Sequence, residues 1–383
     1  MRSNYLVFGQ PLIEQPEIDE VLACMRSAWL GTGPKAAEFE RRVAAYKGVP
    51  YAVGLNSCTA GLHLACVVLG LQPGDEVITT PMTFCATVNA IVHAGATPVL
   101  ADVDPVTMNI DPVAVQKKVT KKTKALLPVH FAGRACDMNA LMAIAKQHDL
   151  KVIEDCAHAI ETEYRGQKAG AIGDLGCFSF YSTKNIVTGE GGMVLTRDER
   201  LAKRTKMMGL HGMSADAWKR FTDDGYKHYD VEEIGFKYNM MDLQAAIGLH
   251  QITRIESYWQ RRLVIWQRYL RELDGLRLGL PAPWPANERH ALHLFTILID
   301  KQQCGITRDE MLMKLHKQNI GSGVHYRSLP GMSVYQRKFG WKPSDCPNAQ
   351  HIGDCTLSLP ISAKLSDQDV TDVITAVRQA LGK

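Results

Sequence analysis

Between residues 50 and 200 short apolar runs alternate with amphipathic segments, and that alternation leaves few folds open to the chain. Tyr51–Leu55 and residues 76–80, 97–102, 125–129 and 151–155 read as strands; 59–69, 86–93, 111–119 and 138–148 read as the helices between them. Strands separated by helices imply a parallel sheet covered on both faces. Functional groups in such a sheet collect at the C-terminal ends of the strands. Polar residues fall at those ends throughout: Asn56 and Ser57, 80–84, 102–104, His130, Asp155 with His158, and 182–184.

Past residue 240 the texture changes. A helical pattern runs over 242–270 and leads into Pro281-Ala-Pro-Trp-Pro285, which cannot continue a helix. Residues 292–299, 307–316, 323–326 and 367–381 then suggest a small α+β unit. At 383 residues the chain exceeds the usual size of one core. The expected division is a large domain over 1–245 and a smaller C-terminal domain over 246–383.

Charge excludes some partners. The 44 basic and 40 acidic residues nearly balance, and the lysines of 117–124 carry no interleaved aromatics, so no nucleic-acid partner is expected. No apolar stretch approaches the roughly 18 residues of a membrane span, and no signal-peptide core is evident at the N-terminus. The 10 cysteines lack a C-x-x-C pair, which argues for a reducing, cytoplasmic setting and against a structural zinc site.

Chemistry centres on Phe178-Ser-Phe-Tyr-Ser-Thr-Lys184-Asn185, followed by Gly189-Glu-Gly-Gly192. A lysine held at a strand end among apolar neighbours can lose its proton and form a Schiff base. Asp155, at the end of another strand, is the kind of group that keeps a pyridoxal nitrogen protonated. Read without that partner, Lys184 is more simply a solvated loop lysine. Asn56-Ser-Cys-Thr-Ala-Gly61 joins a strand to a helix start, either as an ordinary N-cap or as an anion seat. Neither a P-loop nor a G-x-G-x-x-G occurs, so ATP and dinucleotides lose ground. Phe84 reads as core or as a flat surface for a ring, and His158 as structural or as a partner for a ring oxygen. No H-E-x-x-H or G-x-S-x-G is present, which sets aside metalloprotease and serine hydrolase chemistry.

Gly31-Thr-Gly-Pro34, Asn56-Ser-Cys-Thr-Ala-Gly-Leu-His63, Pro73-Gly-Asp-Glu-Val77, Glu154-Asp-Cys-Ala-His158, Ser179-Phe-Tyr-Ser-Thr-Lys-Asn185, Gly189-Glu-Gly-Gly192 and Tyr238-Asn-Met-Met-Asp-Leu-Gln-Ala-Ala-Ile-Gly248 together resemble the DegT/StrS-type sugar aminotransferases. The segments 211–217 and 304–309 look similar to enzymes that aminate C4 of UDP-linked 4-keto sugars, of the 4-amino-4-deoxy-arabinose type. The resemblance implies an α/β enzyme of fold type I (aspartate aminotransferase-like) that uses pyridoxal 5′-phosphate (PLP). It implies that Lys184 binds PLP covalently and shuttles the proton, that Asp155 pairs with the pyridine nitrogen, and that Phe84 stacks on the ring. Cys58, Thr59 and Ser179 would cradle the phosphate, His158 would lie near the ring oxygen, and Asn239 would reach the cofactor of a neighbouring subunit in a homodimer with shared sites. Thr32, Lys237, His325 and Tyr326 would face the substrate. An amino group would pass from L-glutamate through pyridoxamine phosphate to the C4 ketone of a nucleotide-linked 4-keto sugar, for amino-sugar and lipopolysaccharide-type polysaccharide biosynthesis.

Two features depart from that subgroup: Phe84 stands where its members carry tryptophan, and residues 329–333 do not follow its pattern. The competing readings are a sugar dehydratase or an amino-acid aminotransferase of the same fold, with Arg327 as carboxylate grip, and a scaffold without activity. A dehydratase branch carries histidine in place of the lysine, so Lys184 favours transamination.

Overall fold

The structure is a computed structural model that describes residues 2–214 and 229–383. Ala215, Asp216 and Ala217 of the 211–217 resemblance lie outside the described residues.

The alternating pattern builds seven strands: β1 (Tyr51–Leu55), β2 (Glu76–Thr79), β3 (Thr97–Leu100), β4 (Thr123–Leu127), β5 (Lys151–Asp155), β6 (Leu175–Ser179) and β7 (Gly192–Thr196). They form one sheet in the order β1-β7-β6-β5-β4-β2-β3. Six strands run in one direction; β7 is antiparallel to both β1 and β6. The alternation did not announce β7, because no helix precedes it: a glycine-rich turn brings the chain straight back beside β6. The strand read at 125–129 begins two residues earlier, and Val129 makes only an isolated bridge, to Asp155.

Helix Cys58–Val68 lies against the sheet with nearly every residue buried. Its small residues make that approach possible: a Cβ on Gly61 would already sit 3.2 Å from Val194. Apolar residues of that helix and of β1, β2, β4, β5 and β6 form one face's core, while helix Met138–His148 covers the other.

The helical pattern at 242–270 is not one helix. Asp242–Gln251 and Ile255–Leu273 are separated by a 3₁₀ turn at Ile252–Arg254. The tighter turn places positions three apart above one another, and Ile252 and Ile255 both enter the core as a result. Helix Ile255–Leu273 then carries Ile265, Trp266, Tyr269 and Leu273 into a second core, with a two-stranded sheet of β8 (Phe295–Leu298) and β9 (Thr356–Leu359) and helix Asp367–Ala380. Leu6 packs into that second core, and its backbone bonds Asn319 and Gly321. The N-terminal segment is thereby drawn across the mouth between the two cores. The expected division at 245 falls inside the helix Asp242–Gln251, and Leu249, Ile252 and Ile255 still pack with Phe39 and Phe180; we propose that the division lies beyond Ile255, the first residues belonging with the smaller domain in packing. No helix among the described residues is long and apolar enough to cross a membrane.

Candidate active site

The C-terminal ends of β5 and β6 lie side by side, since Ile153, Glu154 and Asp155 pair in parallel with Leu175, Gly176 and Cys177. Beyond β6 the chain folds into a tight loop. Phe180 N–H donates to the Gly191 carbonyl (2.9 Å), Thr188 N–H to that of Phe180 (2.8 Å) and Lys184 N–H to that of Tyr181 (2.8 Å). Gly189 closes the loop at φ +82°, a conformation that favours glycine. Asp155 and Lys184 are thus delivered to one cavity of about 500 Å³.

Burial lowers the Lys184 amine to about 8, and the nearby Cys58 and Asp155 only partly oppose the shift. A substantial neutral fraction is therefore present near neutral pH, as a nucleophilic lysine requires. Asp155 is buried, and burial pushes its carboxyl upward. Two bonds work against that rise: Oδ1 accepts from Ala157 N–H (3.1 Å) and Oδ2 from the Thr87 hydroxyl (2.8 Å). The Thr83 and Thr87 hydroxyls are themselves 2.7 Å apart. A carboxylate has about four lone-pair sites, so each oxygen can still accept from a cationic ring N–H.

Ser57 caps helix Cys58–Val68, its Oγ accepting from Ala60 N–H at 3.1 Å. That cap leaves the Cys58 and Thr59 N–H groups at the helix's positive end for an anion. The closeness of β7 demands glycine there: a Cβ on Gly192 would lie 2.2 Å from the Ser57 carbonyl carbon. Ser179 lines the same side, and its Oγ accepts from Tyr181 N–H (3.3 Å). Phe84, 59% exposed, overhangs the cavity with its ring centre 6.1 Å from that of Tyr326.

The far wall is built of His158, His293, His325 and Tyr326, with Phe8 from the N-terminal segment stacked on His325 at 5.3 Å. Burial is the chief reason that His158 and His293 fall well below the ordinary histidine range and His325 falls to about 4; the Lys184 charge adds to each. Burial also raises the Tyr326 hydroxyl.

Nine of the twelve residues singled out from sequence therefore meet in this cavity: Cys58, Thr59, Phe84, Asp155, His158, Ser179, Lys184, His325 and Tyr326. Thr32, Lys237 and Asn239 do not line it. Asn239 donates to the Thr32 hydroxyl (2.6 Å), which donates to the Met240 carbonyl (2.5 Å), and Lys237 is exposed beside them. Other polar residues at strand ends do structural jobs instead. Asp102 accepts from the N–H groups of Asn348 and Ala349 (both 3.0 Å), and His130 bonds the buried Glu154 (3.0 Å). Thr87, His293 and Phe8 were missed; a histidine just before the apolar run at 294–299 was the one signal on offer.

The sequence pattern of the DegT/DnrJ/EryC1/StrS aminotransferase family matches residues 11–378. The chain belongs to that family. It is 48% identical to the spore coat polysaccharide biosynthesis protein SpsC of Bacillus subtilis, over 98% of this chain and 97% of that one. Its fold is similar to that of Spr1654 from Streptococcus pneumoniae in the PLP form, with TM-score 0.91, 33% identity and 99% of each chain covered. It is also similar to PseC of Helicobacter pylori, an aminotransferase of pseudoaminic acid biosynthesis, with TM-score 0.92, 28% identity, and 99% of this chain and 100% of that one covered. The chain is accordingly a PLP-dependent aminotransferase of fold type I, in a family of sugar aminotransferases. Its own residues fit that cofactor: a lysine partly neutral near pH 8, a buried carboxylate with spare lone pairs, and a helix N-terminus for phosphate surround one cavity.

Proposed function

We propose that this enzyme moves the amino group of L-glutamate to the C4 ketone of a nucleotide-linked 4-keto sugar, of the UDP type. The observation that carries the reading is the meeting of Lys184 and Asp155 in a cavity whose opposite wall is three neutral histidines and a tyrosine, groups suited to the hydroxyls of a sugar. The names of SpsC and PseC, one tied to a polysaccharide and the other to a sugar acid, support the substrate class.

When bound, PLP supplies a carbonyl for the amino group and an electron sink for the carbanion. The rest belongs to the protein. Cys58, Thr59 and Ser179 would hold the phosphate, Asp155 would pair with the ring nitrogen, Phe84 would stack on the ring and His158 would serve the ring oxygen. Lys184 Nζ, unprotonated in part near pH 8, would anchor the cofactor, take the proton from the donor's Cα and deliver one to the sugar's C4 in the second half-reaction. His325 and Tyr326 orient the substrate, while Phe8 and Phe84 limit water at the mouth.

The site is completed by a second subunit in this reading. Thr32, Lys237 and Asn239 serve the partner's cavity, and exposed apolar side chains beside them (Ile18, Leu22, Met25, Trp29, Leu30 and Met241) supply a face for pairing. Trp29 Nε1–H donates to the Thr32 carbonyl at 3.3 Å, which joins that face to the site residues. The product would enter surface polysaccharide of the lipopolysaccharide type, and ten free cysteines suit a cytoplasmic reaction.

The test is an absorbance spectrum of the PLP-loaded protein before and after L-glutamate, then after UDP-linked 4-keto sugars, with the product identified by mass spectrometry. Loss of the visible band with glutamate and its return with the keto sugar are expected, and Lys184→Ala should abolish both. A band that glutamate leaves untouched would refute the donor. Recovery with 2-oxo acids other than 2-oxoglutarate, and with no keto sugar, would make the protein an amino-acid aminotransferase.

A further inference from the structure

The hydrogen bonds behind the cavity fix the polarity of two side chains that line it. Asn185, next to Lys184, donates through Nδ2 to Glu161 Oε2 (2.7 Å) and to the Ala291 carbonyl (2.9 Å). Both of those partners can only accept, so the amide is oriented by chemistry and Oδ1 is its acceptor. Glu161 is anchored in turn by the buried Arg262. His293 Nδ1 lies 2.8 Å from Asn185 Oδ1 and therefore carries its proton. In a neutral imidazole the other nitrogen, Nε2, must then be a bare lone pair.

The neighbouring His158 is locked in the opposite sense. Its Nδ1 accepts from Ala132 N–H (3.3 Å), so its proton sits on Nε2 and is donated to the Tyr326 oxygen at 3.0 Å. The Tyr326 hydroxyl hydrogen is left to point elsewhere. The His158 ring stands 4.4 Å from that of His293 and 6.0 Å from that of Tyr326, and all three line the cavity. The wall thus offers one fixed acceptor and one fixed donor.

We propose that His293 is a specificity-determining residue whose Nε2 accepts a hydrogen bond from a hydroxyl of the sugar substrate, with the Tyr326 hydroxyl donating beside it. The proposal deepens the sugar-aminotransferase reading and rests on it. His293 remains neutral with Lys184 nearby, so it accepts a hydrogen bond without taking the proton. A site built this way rejects a substrate that lacks the hydroxyl, because a polar group would be left unpaired.

Nitrogen-15 NMR of the PLP-loaded protein tests the polarity: His293 Nε2 should report an unprotonated nitrogen across neutral pH, and a protonated Nε2 would overturn the proposal. Kinetics test the role. His293→Phe also leaves Asn185 Oδ1 unpaired beside Lys184, so conversion by L-glutamate serves as the internal reference and should fall several-fold less than conversion of the sugar. The substitution should lower kcat/KM for the UDP-linked 4-keto sugar by roughly 10–100-fold, the loss of one hydrogen bond in a desolvated site. His293→Gln, whose terminal amide oxygen reaches the Nε2 position, should recover part of the loss, and retained visible absorbance in both variants shows that the cofactor site has folded. Equal losses in both half-reactions, or none with the sugar, would overturn the proposal. Wild-type enzyme active with glutamate yet inert toward every keto sugar nucleotide would overturn the substrate reading instead, and this assignment with it.

Discussion

Glu154 precedes Asp155 on β5, and strand alternation sends their side chains to opposite faces. Glu154 is fully buried, and both its oxygens are fully used. Oε1 accepts from the N–H groups of Ile172 (2.9 Å) and Gly173 (2.7 Å), and Oε2 from Gly170 N–H (2.8 Å) and His130 Nε2 (3.0 Å). His130 Nδ1 accepts from Cys136 N–H (3.1 Å), so the His130 proton must lie on Nε2, toward Glu154. Burial alone would raise this carboxyl, but His130 and the backbone donors overcome it and hold the group below the usual range. Glu154→Gln preserves shape while turning one oxygen into an NH₂ that faces two donors. Losing two charge-assisted bonds at about 1.5–3 kcal/mol each predicts destabilisation of about 3–6 kcal/mol. That is a large part of a typical domain's about 5–15 kcal/mol. Because His130 N–H also holds the Asp155 carbonyl (3.1 Å), PLP should be released early in the transition. Urea unfolding followed by tryptophan fluorescence and by the cofactor's visible absorbance measures both effects. The sign with pH is set by the depressed carboxyl: its contribution is present above the unfolded value of about 4.3 and disappears as pH falls through the lower folded value. A difference under about 1 kcal/mol at pH 7 would refute the argument.

Other perturbations follow from the same geometry. Asp155→Asn should retain covalently bound PLP yet slow turnover on the order of 10²-fold, and full activity would remove Asp155 from its role. Capture of PLP by cofactor-free protein should accelerate between about pH 7 and 9 as Lys184 sheds its proton near 8; a flat stopped-flow profile would contradict that shift. Gly192→Ala would force a Cβ to within 2.2 Å of the Ser57 carbonyl carbon, so the melting temperature and PLP affinity should fall together. Lys184→Met should raise His325 from about 4 but leave it below the ordinary histidine value, because burial is the larger cause; proton NMR titration would detect the change, and no shift would exclude Lys184 as a contributor.

The parts of the fold legible in the sequence are those dictated locally. Apolar runs bounded by helical segments gave β1, β2, β3 and β5 nearly to their ends, and Asp155 and Lys184 were visible because each ends a strand beside a turn. The antiparallel β7 was not, since its direction depends on a turn that pairs Tyr181 with Gly189 in space. The break at Ile252–Arg254 was hidden for a similar reason: nothing in that stretch forbids a helix, and only packing of both Ile252 and Ile255 selects the tighter turn. Glu154 and Asp155 look alike in a string of letters. Their environments decide that one is a structural acceptor of four donors and the other a half-satisfied acid at a cavity.

The site shows a further limit of the same kind. Residue identity told which groups could ionise, yet a histidine serves as donor or acceptor according to what stands behind it. His158 and His293 share one wall and one chemistry, and a backbone N–H behind the first and an amide oxygen behind the second give them opposite polarity. Those partners, Ala132 and Asn185, come from segments far from the histidines in the chain, brought there by the sheet edge and the Lys184 loop. Burial then keeps both rings uncharged, while Lys184, across the same cavity, has its amine lowered to about 8 and can change protonation near neutral pH. A proton leaving that amine alters the charge of a cavity whose other polar groups stay fixed, which is the condition for a single residue to move the proton while its neighbours hold the substrate still.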